Sequence, residues 1–200
     1  MLQSLISADI FLLKYFRWVV NPSSYIQVEL VKLLADFWVI FVALLLVWLW
    51  FFGVYKKKDL PKQKALWIFY SIAFSFLIYV ILNLGLPLRP RPETVSAIRP
   101  LVDHLPDNSF PSWHAIFAGA TILASFLFCW KKWIIWSLVV VLSLMLISRI
   151  IAWIHYPSDI FVWLIIWFAG SFVIFKLKDK EVFTKYLMPY PVKLAKFFKL

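Results

Sequence analysis

Long apolar runs separated by short charged segments set the rhythm of this chain. Residues 37–55 and 65–88 carry no charge, and later apolar runs occupy 115–130, 133–148 and 160–175. A membrane-spanning helix needs about 20 mostly apolar residues. The last three runs have 16 residues each, so each must extend at its ends. Extension brings His114, Arg149, His155 and Asp159 to the membrane edge. The runs do not alternate as barrel strands would, and backbone in lipid must satisfy its own hydrogen bonds. The pattern predicts an all-α, polytopic transmembrane helix bundle of five to six spanning helices. Residues 1–20 gather Gln3, Ser7, Lys14 and Arg17 on one side of a helical wheel. That predicts an N-terminal amphipathic helix in the interface, with a poorly apolar sixth span as the alternative. Residues 25–36 extend the first long helix outward, with Glu29, Lys32 and Asp36 near its mouth. The chain then divides into an N-terminal helix (1–24), a transmembrane core (25–178) and a basic, aromatic tail (179–200).

Composition agrees with lipid as part of the solvent. The chain is 64% hydrophobic and only 16% charged, against about a quarter charged in soluble domains. Asp9, Lys14 and Arg17, followed by bulky residues, argue against a cleavable leader at residues 1–20. Cys129 is the single cysteine, which excludes an internal disulfide and a cysteine metal cluster. The net charge of +11 could serve nucleic acid, but the charges are sorted by loop, which is a membrane signature. Lysines crowd 56–64, 131–132 and 176–199, and these hold 14 of the 21 basic residues. All three regions fall on one side, and the positive-inside rule makes that side cytoplasmic. The tail also mixes lysine with Phe183, Tyr186, Phe197 and Phe198, as a segment lying on anionic lipid does. The other side carries Arg89, Arg91, Arg99 and Arg149, and arginine holds phosphate through a rigid fork of donors.

Three clusters on that second side carry candidate chemistry. Arg89-Pro90-Arg91-Pro92 holds two arginines on a stiff, extended strip, which equally suits an exposed loop on lipid headgroups. Pro111-Ser112-Trp113-His114 opens a helix whose free N–H groups and dipole attract anions; an ordinary cap with an interfacial histidine reads the same. Ser148-Arg149 is followed after five residues by His155 and after three more by Asp159. An ionisable residue ending an apolar run is functional by default. Pro157 can start the next helix and place Asp159 in its first turn, where its carboxylate can accept an imidazole N–H and fix the tautomer. The plainer alternative is an interfacial salt bridge and turn. Together the clusters offer two histidines, a carboxylate and several phosphate donors, the set that phosphoryl transfer needs.

These residues resemble the type 2 phosphatidic acid phosphatase family, which includes vanadium haloperoxidases and glucose 6-phosphatase. Its pattern is K-x6-R-P, then P-S-G-H, then S-R-x5-H-x3-D. The third motif matches at Ser148, Arg149, His155 and Asp159, the second at Pro111, Ser112 and His114, and the first at Arg91-Pro92. The resemblance implies that His155 is the nucleophile forming a phosphohistidine, Asp159 orients it and His114 protonates the leaving group. It implies that Arg91, Ser112, Arg149 and the Trp113 backbone N–H hold the phosphate, with no metal and no cofactor. Two positions depart from the pattern. The family lysine falls at Leu84, and Arg89 is the candidate replacement; Trp113 stands where glycine is usual.

The small size, the R-P-R-P strip and Asn108-Ser109-Phe110-Pro111-Ser112 look most like bacterial undecaprenyl diphosphate phosphatases. That implies a lipid phosphate partner and an inner bacterial membrane, with the site facing outward. Phosphatidylglycerophosphate and lipid A 1-phosphate phosphatases, a lipid phosphotransferase, and a non-enzymatic anion- or lipid-binding transporter are the competing expectations. Oligomeric state is not legible in the sequence.

Overall fold

Lipid as solvent explains why so many large apolar side chains face outward. In the computed structural model, Phe37, Ile40, Leu44, Val47, Trp48 and Phe51 line the outer face of one long helix and are exposed. The structure describes residues 2–85, 89–95, 99–103, 109–110, 112–128 and 131–197, without the side chains of 2–6, 163–168 and 195–196. The fold is all-α: α1 (Leu2–Arg17), α2 (Tyr25–Tyr55), α3 (Asp59–Gly85), α4 (Pro92–Val95), α5 (Trp113–Leu127), α6 (Lys132–Ile151), α7 (Pro157–Leu177), a π-helical turn (Val182–Leu187) and α8 (Pro189–Phe197). Among the described residues, α2, α3 and α6 are long and apolar enough to cross a membrane, and α5 is a shorter apolar helix. The five expected runs are α2, α3, α5, α6 and α7. The run expected to reach residue 130 ends its helix at Leu127, and Cys129 lies outside the described residues.

α5 is the axis, packed against α3, α6 and α7. It is buried almost all round, with Ala115, Ala118, Gly119, Ala120 and Ala124 letting neighbours approach closely. Thr121 and Ser125 satisfy their hydroxyls on the carbonyls four residues back, at 2.8 and 2.7 Å. Ser171 donates from α7 to the Ala120 carbonyl at 3.1 Å. Around this axis Leu138, Leu142 and Met145 of α6, with Trp153 and Tyr156 beyond it, form the main core.

The two terminal segments fold back onto the bundle. α1 packs on α6 and α7, with Leu13 buried beside Asp9 while Ser7 and Lys14 stay exposed. The start of the basic tail packs against α3: Phe183 is buried against Trp67 and Tyr70, and the Tyr70 hydroxyl donates to the Leu187 carbonyl at 2.6 Å. The lipid-lying expectation named Phe183, but this aromatic faces protein; Tyr186 and Phe197 are exposed, and Phe198 lies outside the described residues.

Gly170 marks a close approach of α7 to α3, since a Cβ there would run into the Ser75 hydroxyl. Overpacking of this kind costs about 1–3 kcal/mol. Gly170→Ala is therefore expected to lower the thermal midpoint in detergent by several degrees, and Ser75→Ala should recover part of the loss. An unchanged midpoint would show that the helices part without cost.

Candidate active site

Helix ends bring the distant motifs to one end of the bundle. α6 stops in a Schellman-type turn: the Trp153 N–H reaches the Ile150 carbonyl at 3.0 Å and the Ile154 N–H the Arg149 carbonyl at 3.3 Å. Trp153 takes φ +62°, a position where glycine is usual. Its indole is buried in the main core, and that burial offsets the local backbone cost. The chain leaves this turn at His155, and Pro157 then opens α7 as its first residue. Asp159 falls in the first turn of α7, as expected, and its Oδ2 accepts the Tyr156 N–H at 2.9 Å.

His155 is buried, with Nδ1 2.8 Å from the Ser109 carbonyl oxygen. A carbonyl can only accept, so Nδ1 carries the proton and the neutral ring keeps its lone pair on Nε2. The expectation that Asp159 accepts this N–H directly needs correction. Asp159 Oδ2 lies 3.9 Å from Nδ1, beyond hydrogen-bond range. Its oxygens are engaged elsewhere: Oδ2 by the Ser109 hydroxyl at 2.5 Å and the Tyr156 N–H, Oδ1 by Arg89 Nη1 at 2.5 Å. Asp159 therefore meets His155 by way of Ser109, whose hydroxyl it accepts and whose carbonyl takes the ring N–H.

Arg89 sits behind this relay. Besides Asp159 it donates to the Ser158 hydroxyl at 2.8 Å and to Asp9 at 2.6 Å, and it lies 4.0 Å above the Tyr156 ring. Asp9 also accepts the Ser158 backbone N–H at 3.0 Å, a favourable place for a carboxylate at the N-terminus of α7. The expected phosphate role of Arg89 thus meets a guanidinium turned toward two carboxylates. Arg91 is buried and donates to the Ile154 carbonyl at 2.9 Å, beside His155, which it influences electrostatically.

The second histidine is held by a separate cluster. His114 is the second residue of α5, whose N-cap is Ser112. Arg149 Nη2 donates to His114 Nδ1 at 3.0 Å, crowds Nε2 of the same ring, and reaches Asp36 Oδ1 at 2.7 Å. Asp36 in turn lies 3.4 Å from His114 Nε2. The Trp113 ring lies 3.4 Å from the His114 ring, centroid to centroid, so this departure from glycine covers a site histidine. Ser112 is fully buried, and its hydroxyl has no protein partner among the described residues. His114 and His155 interact electrostatically, and Arg149 acts on both.

The eight expected residues therefore gather at one end of the bundle. Pro111 of the second motif lies outside the described residues, as do Asn108, Asp107 and His104 before it. Asp103 is exposed and Glu93 half-buried. Four polar partners were not singled out for the site from sequence: Asp9, Asp36, Ser109 and Ser158. Asp9 carried a signal as the only acidic residue among the first 24, and Asp36 as a charge bordering an apolar run.

A family model described as the PAP2 superfamily matches residues 64–183, more than half of the chain. That stretch holds every motif residue but neither Asp9 nor Asp36. Undecaprenyl-diphosphatase BcrC of Bacillus subtilis (strain 168) is 28% identical over 146 residues, covering 73% of this chain and 72% of that protein. No solved structure matches significantly.

Burial pulls the His155 pKa below the usual imidazole range, opposed by Asp159 and assisted by Arg91 and Arg149. The neutral ring is the form with a free lone pair, so the acid limb of kcat/KM should lie below pH ~6.5. The same shift makes stability present above the unfolded-state pKa and lost as pH falls through the folded one. A pH–rate profile with an acid limb at or above pH 7 would contradict this placement.

Proposed function

The chain belongs to the PAP2 superfamily, and from that premise we propose that it is a membrane lipid phosphatase acting through a phosphohistidine at His155. The observation that carries this reading is the His155 Nδ1–Ser109 carbonyl bond, which leaves Nε2 as a nucleophile. In the proposed reaction Nε2 attacks phosphorus and the bond to the bridging oxygen breaks. That oxygen leaves with the proton of His114. Water then attacks phosphorus, giving one proton back to His114, and the P–N bond breaks. Inorganic phosphate departs, and both imidazoles return to their starting forms.

Arg91, Arg149, the Ser112 hydroxyl and the first N–H groups of α5 are the donors suited to the equatorial oxygens, where charge spreads in the transition state. We assign Arg89 to holding Asp159 and Asp9 in place, which leaves phosphate contact to the other two arginines. Fixed guanidinium charge can stabilise the transferring group, so the reaction proposed needs no metal or cofactor. Asp36 is assigned to positioning the general acid, since it meets both His114 and Arg149.

The substrate proposed is a lipid diphosphate, undecaprenyl diphosphate first, on the strength of the activity named for the Bacillus subtilis relative. A long tail can stay in the bilayer while its headgroup reaches the arginines. The site lies at the end opposite the lysines of 56–64 and 131–132, and the positive-inside rule makes it the outward face of a bacterial membrane.

His155→Ala is expected to reduce phosphate release from lipid diphosphate in detergent by several orders of magnitude, because catalytic groups act as a unit. Wild-type turnover should persist in EDTA. A strict requirement for divalent metal, or a His155→Ala variant of normal activity, rejects the mechanism.

For Asp36→Asn the expectation is a loss of roughly 10²-fold or more on alkyl phosphates, where the leaving oxygen needs its proton, and a much smaller loss on an activated aryl phosphate. Equal losses on both substrates would assign Asp36 to folding or phosphate binding instead.

A further inference from the structure

The end of the bundle away from the histidines carries a second candidate site. A groove with a cavity of about 380 Å³ runs between α2, α3 and α6, in the size range of ligand pockets (roughly 300–1,000 Å³). Phe41, Leu45 and Trp48 of α2 form one wall, and Leu138 and Val141 of α6 form the other. Ser137 is the polar lining residue away from the lysines, and its hydroxyl donates to the Trp133 carbonyl at 2.8 Å. Two cations, Lys64 near the start of α3 and Lys131 at the N-cap of α6, complete the lining.

Along α2 the lining runs from Phe41 to Phe52. At 1.5 Å per residue that is about 16 Å, close to half of a ~30 Å hydrocarbon core. The groove therefore has the depth of one leaflet, with cations at headgroup level and hydrocarbon walls beyond them. We propose that it binds an anionic phospholipid of the lysine-side leaflet, headgroup phosphate between Lys64 and Lys131 and one acyl chain against α2 and α6. Anionic lipid is favoured over zwitterionic because both polar groups at the mouth are cations, and basic side chains at a membrane surface attract anionic headgroups. The ligand is separate from the headgroup at the catalytic end. Lys131 and Arg149 bracket α6 and stand about 27 Å apart along it. The proposal rests on the membrane fold and is independent of the phosphatase reading.

The test is thermal unfolding of the full chain in mild detergent, with dioleoyl phosphatidylglycerol or dioleoyl phosphatidylcholine added. Phosphatidylglycerol at saturation should raise the midpoint by roughly 5–10 °C more than phosphatidylcholine. A Lys64→Gln/Lys131→Gln variant should lose that difference, while Lys57→Gln/Lys58→Gln, outside the groove on the same face, should keep it. Ser137→Trp fills the groove without touching charge and should abolish the difference too, which keeps the test decisive if the double-lysine variant does not fold. Equal stabilisation by both lipids, or equal loss in the Lys57/Lys58 control, overturns the proposal. A phosphatidylglycerol effect removed by added lipid diphosphate would assign the groove to the substrate's tail. A dimer that dissociates on Ser137→Trp would assign it to a second copy of the chain.

Discussion

A fully buried carboxylate has to be neutralised and hydrogen-bonded on the spot, and Asp159 imposes that demand on the end of the bundle where the two histidines lie. Its partners come from three places: the Ser109 hydroxyl, the Tyr156 backbone N–H and Arg89. Removing one partner of a buried ion pair costs about 3–5 kcal/mol, because the survivor keeps its charge in a medium that cannot solvate it. The loop before α5, the loop after α3 and the turn before α7 are therefore fixed relative to one another by a single side chain. The orientation of His155 follows from this, since the carbonyl that holds its ring belongs to the serine that Asp159 holds.

Much of this was legible in the sequence, because hydrophobic runs and short motifs are local information. Five charge-poor runs became five helices, Pro157 opened α7, and the eight expected site residues met at one end. What stayed hidden was pairing across long separations. Asp9 reaches Arg89 across 80 residues and Arg149 reaches Asp36 across 113, and no periodicity encodes such partners. The contact expected between Asp159 and His155 was plausible from an i, i+4 spacing that holds inside a helix. His155 precedes α7, though, and a turn does not preserve helical geometry.

The two histidines are supported by different parts of the chain. His155 belongs to a relay whose motif residues all lie in the family-matched stretch, while His114 leans on Asp36 from α2, outside that stretch. Asp36 lies at the mouth of the bundle, with its side chain 55% exposed. His155 is thus walled in by protein, and His114 has a partner within reach of water. That asymmetry suits a reaction in which one ring must stay neutral and desolvated while the other exchanges protons.

The ties between Asp9 and the loop and turn near His155 also bear on how the molecule is made. Asp9 is synthesised well before its partner Ser158, which lies 149 positions later. A chain halted after α5 or α6 has Asp9 and Arg89 but lacks His155 and Asp159 altogether. The cluster around Asp159 is therefore completed late, only once α7 has joined the bundle. A copy that stops short of α7 leaves Asp9 and Arg89 without the partners that this helix brings.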